Sequence, residues 1–404
     1  MLPPSKNSAT AMSLRFTAAA MCLLALALQG CNSKEPDSIA PAIAAPKIQV
    51  VPEGTEKLAG TLANTLGRTG RLLVGLGSTD VATIRGQHLR PDIYDQYING
   101  VGKDSWINWN SPPGAYIDIV TKDADAVGAI PMFTLYQMAA LGDSNISGLN
   151  NTQFMKDYWG NVEILLSRLN AYNKPALINL EPDFWGYTQR KFADPGAHFV
   201  HVSTNNQHCT NQPNNMVGFG YCLIQMTRAL APKALAGFPP SLFPDLAATE
   251  IDYMRRIGAS KADFVVMQTS DRDAGCFEAK YTGDSAGCDR ADGPLHSWDA
   301  SNQRIPNFKT QLALARGYFE GLQRPLLWWQ TPLGVAIATP GGRPGAFRDN
   351  KLEYFLSHPS ELVAAGGVGV VFSPGHTSQT TIATDGGQFK KLSERYLQSP
   401  APLP

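Results

Sequence analysis

Short apolar runs alternate with amphipathic segments along most of the chain, and this alternation limits the possible folds more than any other feature. Apolar runs with few charges inside them are typical of strands covered on both faces of a parallel sheet. The clearest intervening segment, residues 154–172, has apolar residues three and four positions apart, as helices packed against a sheet do. Strands and helices in this order indicate a single (β/α)8 barrel, with a doubly wound open α/β sheet as the alternative.

The predicted strands and helices follow from this pattern. The predicted strands are residues 71–78, 105–110, 127–136, 176–180, 233–241, 262–273, 324–334 and 367–375. The predicted helices are residues 93–98, 116–126, 154–172, 222–231, 247–257, 308–322, 351–365 and 388–397. The polar segments 188–216 and 274–306 are expected to be long loops that border a cleft over the barrel mouth.

The charge balance argues against nucleic acid as the main partner. Lys plus Arg equals Asp plus Glu at 34 each, so the formal net charge is zero, and no basic patch is visible along the chain. With 37 glycines, 29 prolines and only 17% charged residues, the composition favours a loop-rich, enzyme-like domain over a coiled coil or a helical array.

The amino-terminal residues have the order of a secretory signal. Arg15 precedes an apolar run that is too short to span a membrane comfortably, and Gln29, Gly30 and Cys31 follow it. Residues 28–31 resemble the bacterial lipobox, which implies that Cys31 is lipidated and becomes the first residue of the mature protein. Plain secretion is the alternative.

Three segments are therefore expected: a lipoprotein signal peptide at 1–31, a Pro- and Ala-rich tether at 32–58, and the barrel domain at 59–404. Asn32 differs from the Asp that retains similar lipoproteins in the inner membrane. This resemblance implies an outer-membrane lipoprotein facing the periplasm or the cell surface, with the lipid as its contact with the membrane.

Cysteines beyond the signal region form an even set, which in an exported protein predicts disulfides. Pairing of sequence neighbours would join Cys209 to Cys222 and Cys276 to Cys288, although four cysteines allow three connectivities. No C-x-x-C spacing occurs among them and only His208 lies next to a cysteine, so no metal site is predicted. The sequence implies no cofactor either.

The stretch PALINLEPDFWGY, residues 175–187, carries the most suggestive chemistry. Side chains alternate along a strand, so Asn179, Glu181 and Asp183 share one face if the strand continues that far. Trp185 and Tyr187 extend the same parity. Carboxylates beside aromatic rings at the end of a buried strand are what a sugar-cleaving site needs.

Other strand ends contribute side chains of the same kinds. The candidate substrate-binding residues there are Trp109, Tyr136, Gln268, Trp328, Trp329, Gln330 and His376, and the candidate acids are Asp271 and Asp273. Because neighbouring strand residues face opposite ways, we expect one of the two tryptophans to pack against a helix instead. Aromatic faces and paired hydrogen-bonding groups suit a carbohydrate ligand.

Asn179, Glu181, Pro182 and Asp183 carry a resemblance to TIM-barrel glycoside hydrolases. Asn, Glu and Pro at the end of strand four are similar to the N-E-P triplet of the retaining barrel clan, in which the Glu is the acid/base, and E-P-D is similar to a cellobiohydrolase-type inverting family. Leu180 is inserted here between Asn and Glu. Strand seven has Gln330 where the retaining clan has a nucleophilic Glu, so the match assigns no specific family.

The sequence therefore predicts an exported glycoside hydrolase that cleaves a polysaccharide or oligosaccharide. Glu181 would be the general acid and Asp271 or Asp273 the general base or nucleophile, with Asp183 adjusting the pKa of Glu181. The first alternative is a carbohydrate-binding lipoprotein without catalysis on the same barrel. The second is a scaffold protein of an export or biofilm assembly.

Overall fold

The eight strands form a closed barrel in which every neighbouring pair is parallel and β8 pairs with β1. This architecture is seen in a computed structural model that describes residues 54–68, 70–269, 298–334, 351–374 and 380–404. The strands follow one another around the barrel in chain order, with at least one helix between each successive pair. The predicted (β/α)8 barrel is confirmed, and the open-sheet alternative is excluded because the sheet has no edge.

The elements keep strict chain order. The strands are β1 (Leu73–Gly77), β2 (Ile93–Asn99), β3 (Ile130–Tyr136), β4 (Ala176–Leu180), β5 (Ala234–Phe238), β6 (Phe264–Gln268), β7 (Leu326–Pro332) and β8 (Gly367–Ser373). The helices are α1 (Leu58–Thr65), α2 (Val81–Gly86), α3 (Ala115–Val127), α4 (Thr152–Tyr172), α5 (Phe184–Lys191), α6 (Met216–Leu230), α7 (Glu250–Arg256), α8 (Phe308–Leu322), α9 (Lys351–Ser357), α10 (Pro359–Ala364) and α11 (Gln388–Gln398).

The second strand is the main error of the sequence prediction. The segment predicted as a helix at 93–98 is β2, whereas the predicted strand at 105–110 contains only the short 3-10 helix Trp106–Asn108. Apolar residues in this segment recur four positions apart, as on a helix, because Asp95 occupies an inward strand position. Because Asp95 is polar, the two-residue alternation typical of a strand is not recognisable in this segment.

The strands are covered by apolar residues on both faces, inside the barrel and outside it. Inward-facing residues such as Leu177 and Leu327 form one cluster with Leu62 and Leu66 in and just after α1, so this first helix covers the amino-terminal end of the barrel. Outward-facing strand residues pack against the ring of outer helices in a second cluster. The opposite end, where the strands run into their following loops, is left for polar side chains.

Cys209 and Cys222 form a disulfide that ties the segment after α5 to α6. Half of the predicted pairing is thus confirmed, while Cys276 and Cys288 lie outside the described residues. The predicted signal peptide, with Cys31 as its predicted lipidation site, also lies outside them. In the described part of the chain, no helix is both long and apolar enough to span a membrane.

Candidate active site

Five polar or aromatic side chains from different strand ends meet at the carboxyl-terminal end of the barrel: Tyr97, Tyr136, Asp183, Gln268 and Gln330. The Tyr97 and Tyr136 rings meet edge to face with 6.1 Å between centroids, and Gln330 Nε2 donates a hydrogen bond to the Tyr97 hydroxyl. On the opposite side, Gln268 Nε2 donates to Asp183 Oδ1 at 3.0 Å. These contacts define the barrel mouth.

The Tyr136 hydroxyl donates a hydrogen bond to Asp143 Oδ1 at 2.9 Å, and the backbone places a second carboxylate, Asp183, at this mouth. Its φ of 64° lies in the left-handed region, and its carbonyl oxygen accepts a hydrogen bond from Ser241 Oγ at 3.1 Å. The amide of Ser241 donates in turn to the buried Glu250 at 2.7 Å, so the loop after β5 holds this turn in place. Burial, followed by the charge of Asp183, raises the pKa of Tyr136 above its usual value.

Glu181 lies in a different environment from the one its spacing predicted. The side chain is fully buried, and Oε2 accepts a hydrogen bond from the amide of Met138 at 2.9 Å, just after β3. The Tyr158 hydroxyl of α4 is near enough to the carboxyl for each group to shift the pKa of the other. Neither Glu181 Oε1 nor Tyr158 Oη has a partner with hydrogen-bond geometry among the described residues.

The contacts of Glu181 correct the expectation that it faces the barrel mouth beside Asn179. Strand alternation holds only while the backbone is extended, and Glu181 has a φ of 55° immediately after β4. The carboxyl group therefore turns toward α4, where Tyr158 packs against Phe219 of α6. Burial raises the pKa of Glu181 to about 8, so the buried group carries its proton at neutral pH.

Asp95, which the sequence analysis missed, lies inside the barrel below the mouth. Its Oδ2 accepts a hydrogen bond from Trp329 Nε1 at 2.9 Å, and its Oδ1 accepts one from Thr134 Oγ1 at 2.9 Å. Asn179 Nδ2 approaches Thr134 Oγ1 at 3.4 Å. Burial raises the pKa of Asp95 to about 6, and the two hydrogen bonds limit that rise because they favour the ionised form.

A bulge in β7 explains how consecutive residues of that strand both reach the inner side. The register with β8 shifts between Trp328 and Thr331, and Gln330 has a φ of 52°. Trp329 consequently bonds to Asp95 in the interior, while Gln330 bonds to Tyr97 at the mouth. Asp95 and Tyr97 could have been recognised as inward-facing had the segment 93–99 been identified as a strand.

Several predicted substrate contacts lie elsewhere. Trp185 is fully buried and donates its Nε1 hydrogen to the Leu180 carbonyl, so its assignment as a sugar-stacking residue is wrong. Trp328 packs outward against Phe355, as expected for one member of the tryptophan pair, and it is also unavailable to substrate.

Two further aromatic residues lie on loops or helices around the mouth. Trp109 lies in the loop after β2, is 45% exposed and contacts Tyr116 edge to face. Tyr187 lies on α5 and packs against Phe243, with ring centroids 5.2 Å apart. The backbone amide of Tyr187 donates a hydrogen bond to the Asp183 carbonyl oxygen at 3.3 Å.

Three candidate residues, Asp271, Asp273 and His376, fall outside the described residues, so their roles stay predictions. Among the residues that the structure describes, no group of three or more His, Cys, Asp or Glu side chains is arranged to hold a metal ion. The polar groups of the mouth are carboxylate, amide and phenol, which together can hydrogen-bond hydroxyl groups and transfer protons.

Comparisons with known proteins find no matching family, only solved structures of low sequence identity. No protein-family model matches the chain, and no curated protein sequence matches it significantly. Among solved structures, the chain is similar to GH26C from Muricauda sp. MAR_2010_75, with 13% identity, a TM-score of 0.46, and coverage of 85% of this chain and 90% of that one.

Two further solved structures match the chain at similarly low identity. A Podospora anserina GH26-CBM35 β-(1,4)-mannanase has 13% identity, a TM-score of 0.43, and coverage of 92% of this chain and 70% of that one. D-psicose 3-epimerase from Clostridium cellulolyticum H10 has 12% identity, a TM-score of 0.38, and coverage of 81% of this chain and 97% of that one. The function proposed below rests on the side chains of the mouth.

Proposed function

We propose that this protein is a glycoside hydrolase that cleaves an oligosaccharide or polysaccharide at the barrel mouth, with Asp183 as a reacting carboxylate. The observation that carries the proposal is the hydrogen bond from Gln268 to Asp183 within a ring of amide and phenol groups. Such a ring offers aromatic surface for the C–H faces of sugars and hydrogen-bonding partners for their hydroxyls.

Asp183 suits the role of general base or nucleophile. The Gln268 amide orients the carboxylate and stabilises negative charge on it. Hydrolysis of a glycosidic bond needs a second carboxyl group, about 5–5.5 Å away for retention or about 6.5–9.5 Å away for inversion. Asp271 and Asp273, which follow β6 in the sequence, remain the predicted partners.

Glu181 is not assigned as the general acid in this proposal. A general acid must come within hydrogen-bond distance of the glycosidic oxygen, and the Glu181 carboxyl is buried against Met138 and Tyr158. Its proton at neutral pH would otherwise suit that role. We propose instead that Glu181 holds the loop after β3, which begins just beyond Tyr136.

The test is hydrolysis of a panel of polysaccharides and oligosaccharides, followed by two isosteric variants on any substrate that is cleaved. Asp183→Asn should lower kcat by about 10²–10⁴-fold, the usual contribution of a positioned proton-transfer group. Glu181→Gln should keep kcat within a few-fold. The reverse ranking of the two variants would refute the assignment of Asp183.

A second candidate function is carbohydrate binding without catalysis. The end of β7 supports it, because Gln330 stands there and bonds to Tyr97 rather than providing an acid. A glycan that binds the protein without release of reducing ends, with affinity lost in Tyr136→Ala, would favour this function over hydrolysis.

The proposed location is the outer membrane, through a lipid on Cys31. The supporting features are the apolar run of the signal region and the lipobox-like residues 28–31. Metabolic labelling with a clickable fatty acid should modify the native protein and leave Cys31→Ser unlabelled. Equal labelling of the two proteins would contradict lipidation at this residue.

A further inference from the structure

An open cavity of about 730 Å³ lies at the amino-terminal end of the barrel, opposite the mouth. Its walls are the last turn of α2 with the loop that leads into β2, and the last residues of α3 with the turn into β3. Arg85, His88 and Arg90 line one side, and backbone and small apolar residues line the other. None of the residues that line it is an aspartate or a glutamate.

The cations of this cavity are not engaged by the protein. Within the described residues, the side chains of Arg85, His88 and Arg90 have no hydrogen bond or ion pair, and all three are exposed. Arginines elsewhere commonly pair with carboxylates, as Arg190 does with Asp245. Placing uncompensated positive groups around one cavity costs electrostatic free energy, which a bound anion would recover.

The helix dipole explains the position of only one of these three basic side chains. Arg85 lies in the last turn of α2, where a cation stabilises the partial negative charge of the helix end. His88 and Arg90 lie beyond the helix, in the loop that ends at β2, so the helix dipole does not explain their position beside the same cavity.

We propose that Arg85, His88 and Arg90 form a binding site for a phosphate group, separate from the barrel mouth. Two guanidinium groups can each bind phosphate oxygens in a bidentate manner, and an imidazole N–H adds a further donor. The chain enters the described structure through α1 at this same end of the barrel. The phosphate could therefore belong to a membrane phospholipid headgroup or to a soluble phosphate compound.

The test uses the full chain carrying Cys31→Ser, so that an attached lipid cannot contribute. Arg85→Gln/Arg90→Gln removes two cations from the cavity, and Arg304→Gln/Arg395→Gln removes two exposed, unpaired arginines elsewhere in the described chain. Thermal unfolding is followed during titration with inorganic phosphate against chloride of equal ionic strength. Co-sedimentation is measured with phosphatidylcholine vesicles, with and without phosphatidylglycerol.

Phosphate-specific stabilisation of the parent protein, weakened at least about tenfold in affinity by Arg85→Gln/Arg90→Gln and unchanged by the control pair, supports the site. Binding of inorganic phosphate alone identifies a soluble ligand, and binding only to phosphatidylglycerol vesicles identifies a headgroup. The proposal is overturned if neither probe binds, or if the two double variants lose binding equally.

Discussion

Trp329 Nε1 donates a hydrogen bond to Asp95 Oδ2 across the barrel interior, at 2.9 Å, and so joins β7 to β2. The same carboxyl accepts a second hydrogen bond from Thr134 of β3. A single buried acid therefore fixes three strands just below the ring of mouth residues. Because Trp329 precedes the bulge residue Gln330, this bond also fixes where the Gln330 amide meets Tyr97.

Thr134→Val should destabilise the protein by about 1–3 kcal/mol, because it leaves one oxygen of buried Asp95 without a donor. The hydroxyl of Thr134 favours the ionised form of Asp95, so its removal raises the pKa of Asp95 further above about 6. The stability lost in Thr134→Val should consequently be larger above pH 6, where Asp95 is ionised, than below it. Urea unfolding on both sides of pH 6 measures the difference.

Thr134→Ser is the matched control, since it keeps the hydroxyl and should show little of this pH-dependent loss. An equal loss in the Val variant at both pH values would mean that the bond to Asp95 does not matter and that packing alone was disturbed.

Glu181→Gln should change how stability depends on pH. The pKa of Glu181 is about 8 in the folded protein and 4.5 for the ordinary group, so the native state binds more protons across this window. The contribution of the buried neutral acid is fully present below 4.5 and is lost as pH rises through about 8. Gln cannot ionise, so the variant should lack this loss, which is on the order of a few kcal/mol.

The measurement is the free energy of unfolding of the wild type and the variant at several pH values across that window. Glu394→Gln, on an exposed part of α11, is the control and should leave the wild-type pH dependence unchanged. Parallel curves for the wild type and Glu181→Gln would contradict a buried, protonated Glu181.

Replacing Cys209 and Cys222 by Ser should lower the free energy of unfolding by about 2–4 kcal/mol, because the bond restricts the unfolded chain. The site contacts do not involve this segment, so the proposed activity should persist at temperatures where the variant is folded. Reduction of the wild-type protein should lower its stability to the level of the double variant. A variant as stable as the oxidised wild type would contradict the predicted contribution.

Gly237→Ala should destabilise the barrel by about 1–3 kcal/mol through overpacking. A Cβ at Gly237 would lie 2.2 Å from the ring of Phe264, which fills the interior beside β5. Gly160→Ala in α4 is the matched control, because a Cβ there meets nothing within 4 Å. The control should gain about 0.5–1 kcal/mol from helix propensity. Equal effects of the two substitutions on the free energy of unfolding would show that the Phe264 ring can move aside without a loss of stability.

The barrel itself was predictable because buried parallel strands need continuous apolar runs, and most of these runs stand out in the sequence. The disulfide between Cys209 and Cys222 was predictable from an even set of cysteines. β2 was not, because Asp95 replaces an apolar residue at an inward position and thereby gives the segment the spacing of a helix. A single buried polar residue is enough to hide a short strand.

The carboxylates after β4 show the same limit at the candidate site. The alternation of side chains along a strand predicted that Glu181 and Asp183 share one face. Both residues instead have positive φ values, which the sequence pattern did not predict. Glu181 turns toward Tyr158. Asp183, which follows β4, accepts a hydrogen bond from Gln268 of β6, two strands further around the barrel. The acid expected to be catalytic and the acid expected to be auxiliary have therefore exchanged places in the proposed mechanism.

The barrel, the strand end that carries the acids, and one disulfide follow from the residue pattern, because they depend on local hydrophobicity and residue type. Three features are visible only in the folded protein: Asp183 lies at the mouth, Asp95 joins three strands, and Arg85, His88 and Arg90 share one cavity. The physical reason is that burial, hydrogen-bond partners and pKa depend on contacts between residues far apart in the chain. Local backbone turns then settle which way each side chain points.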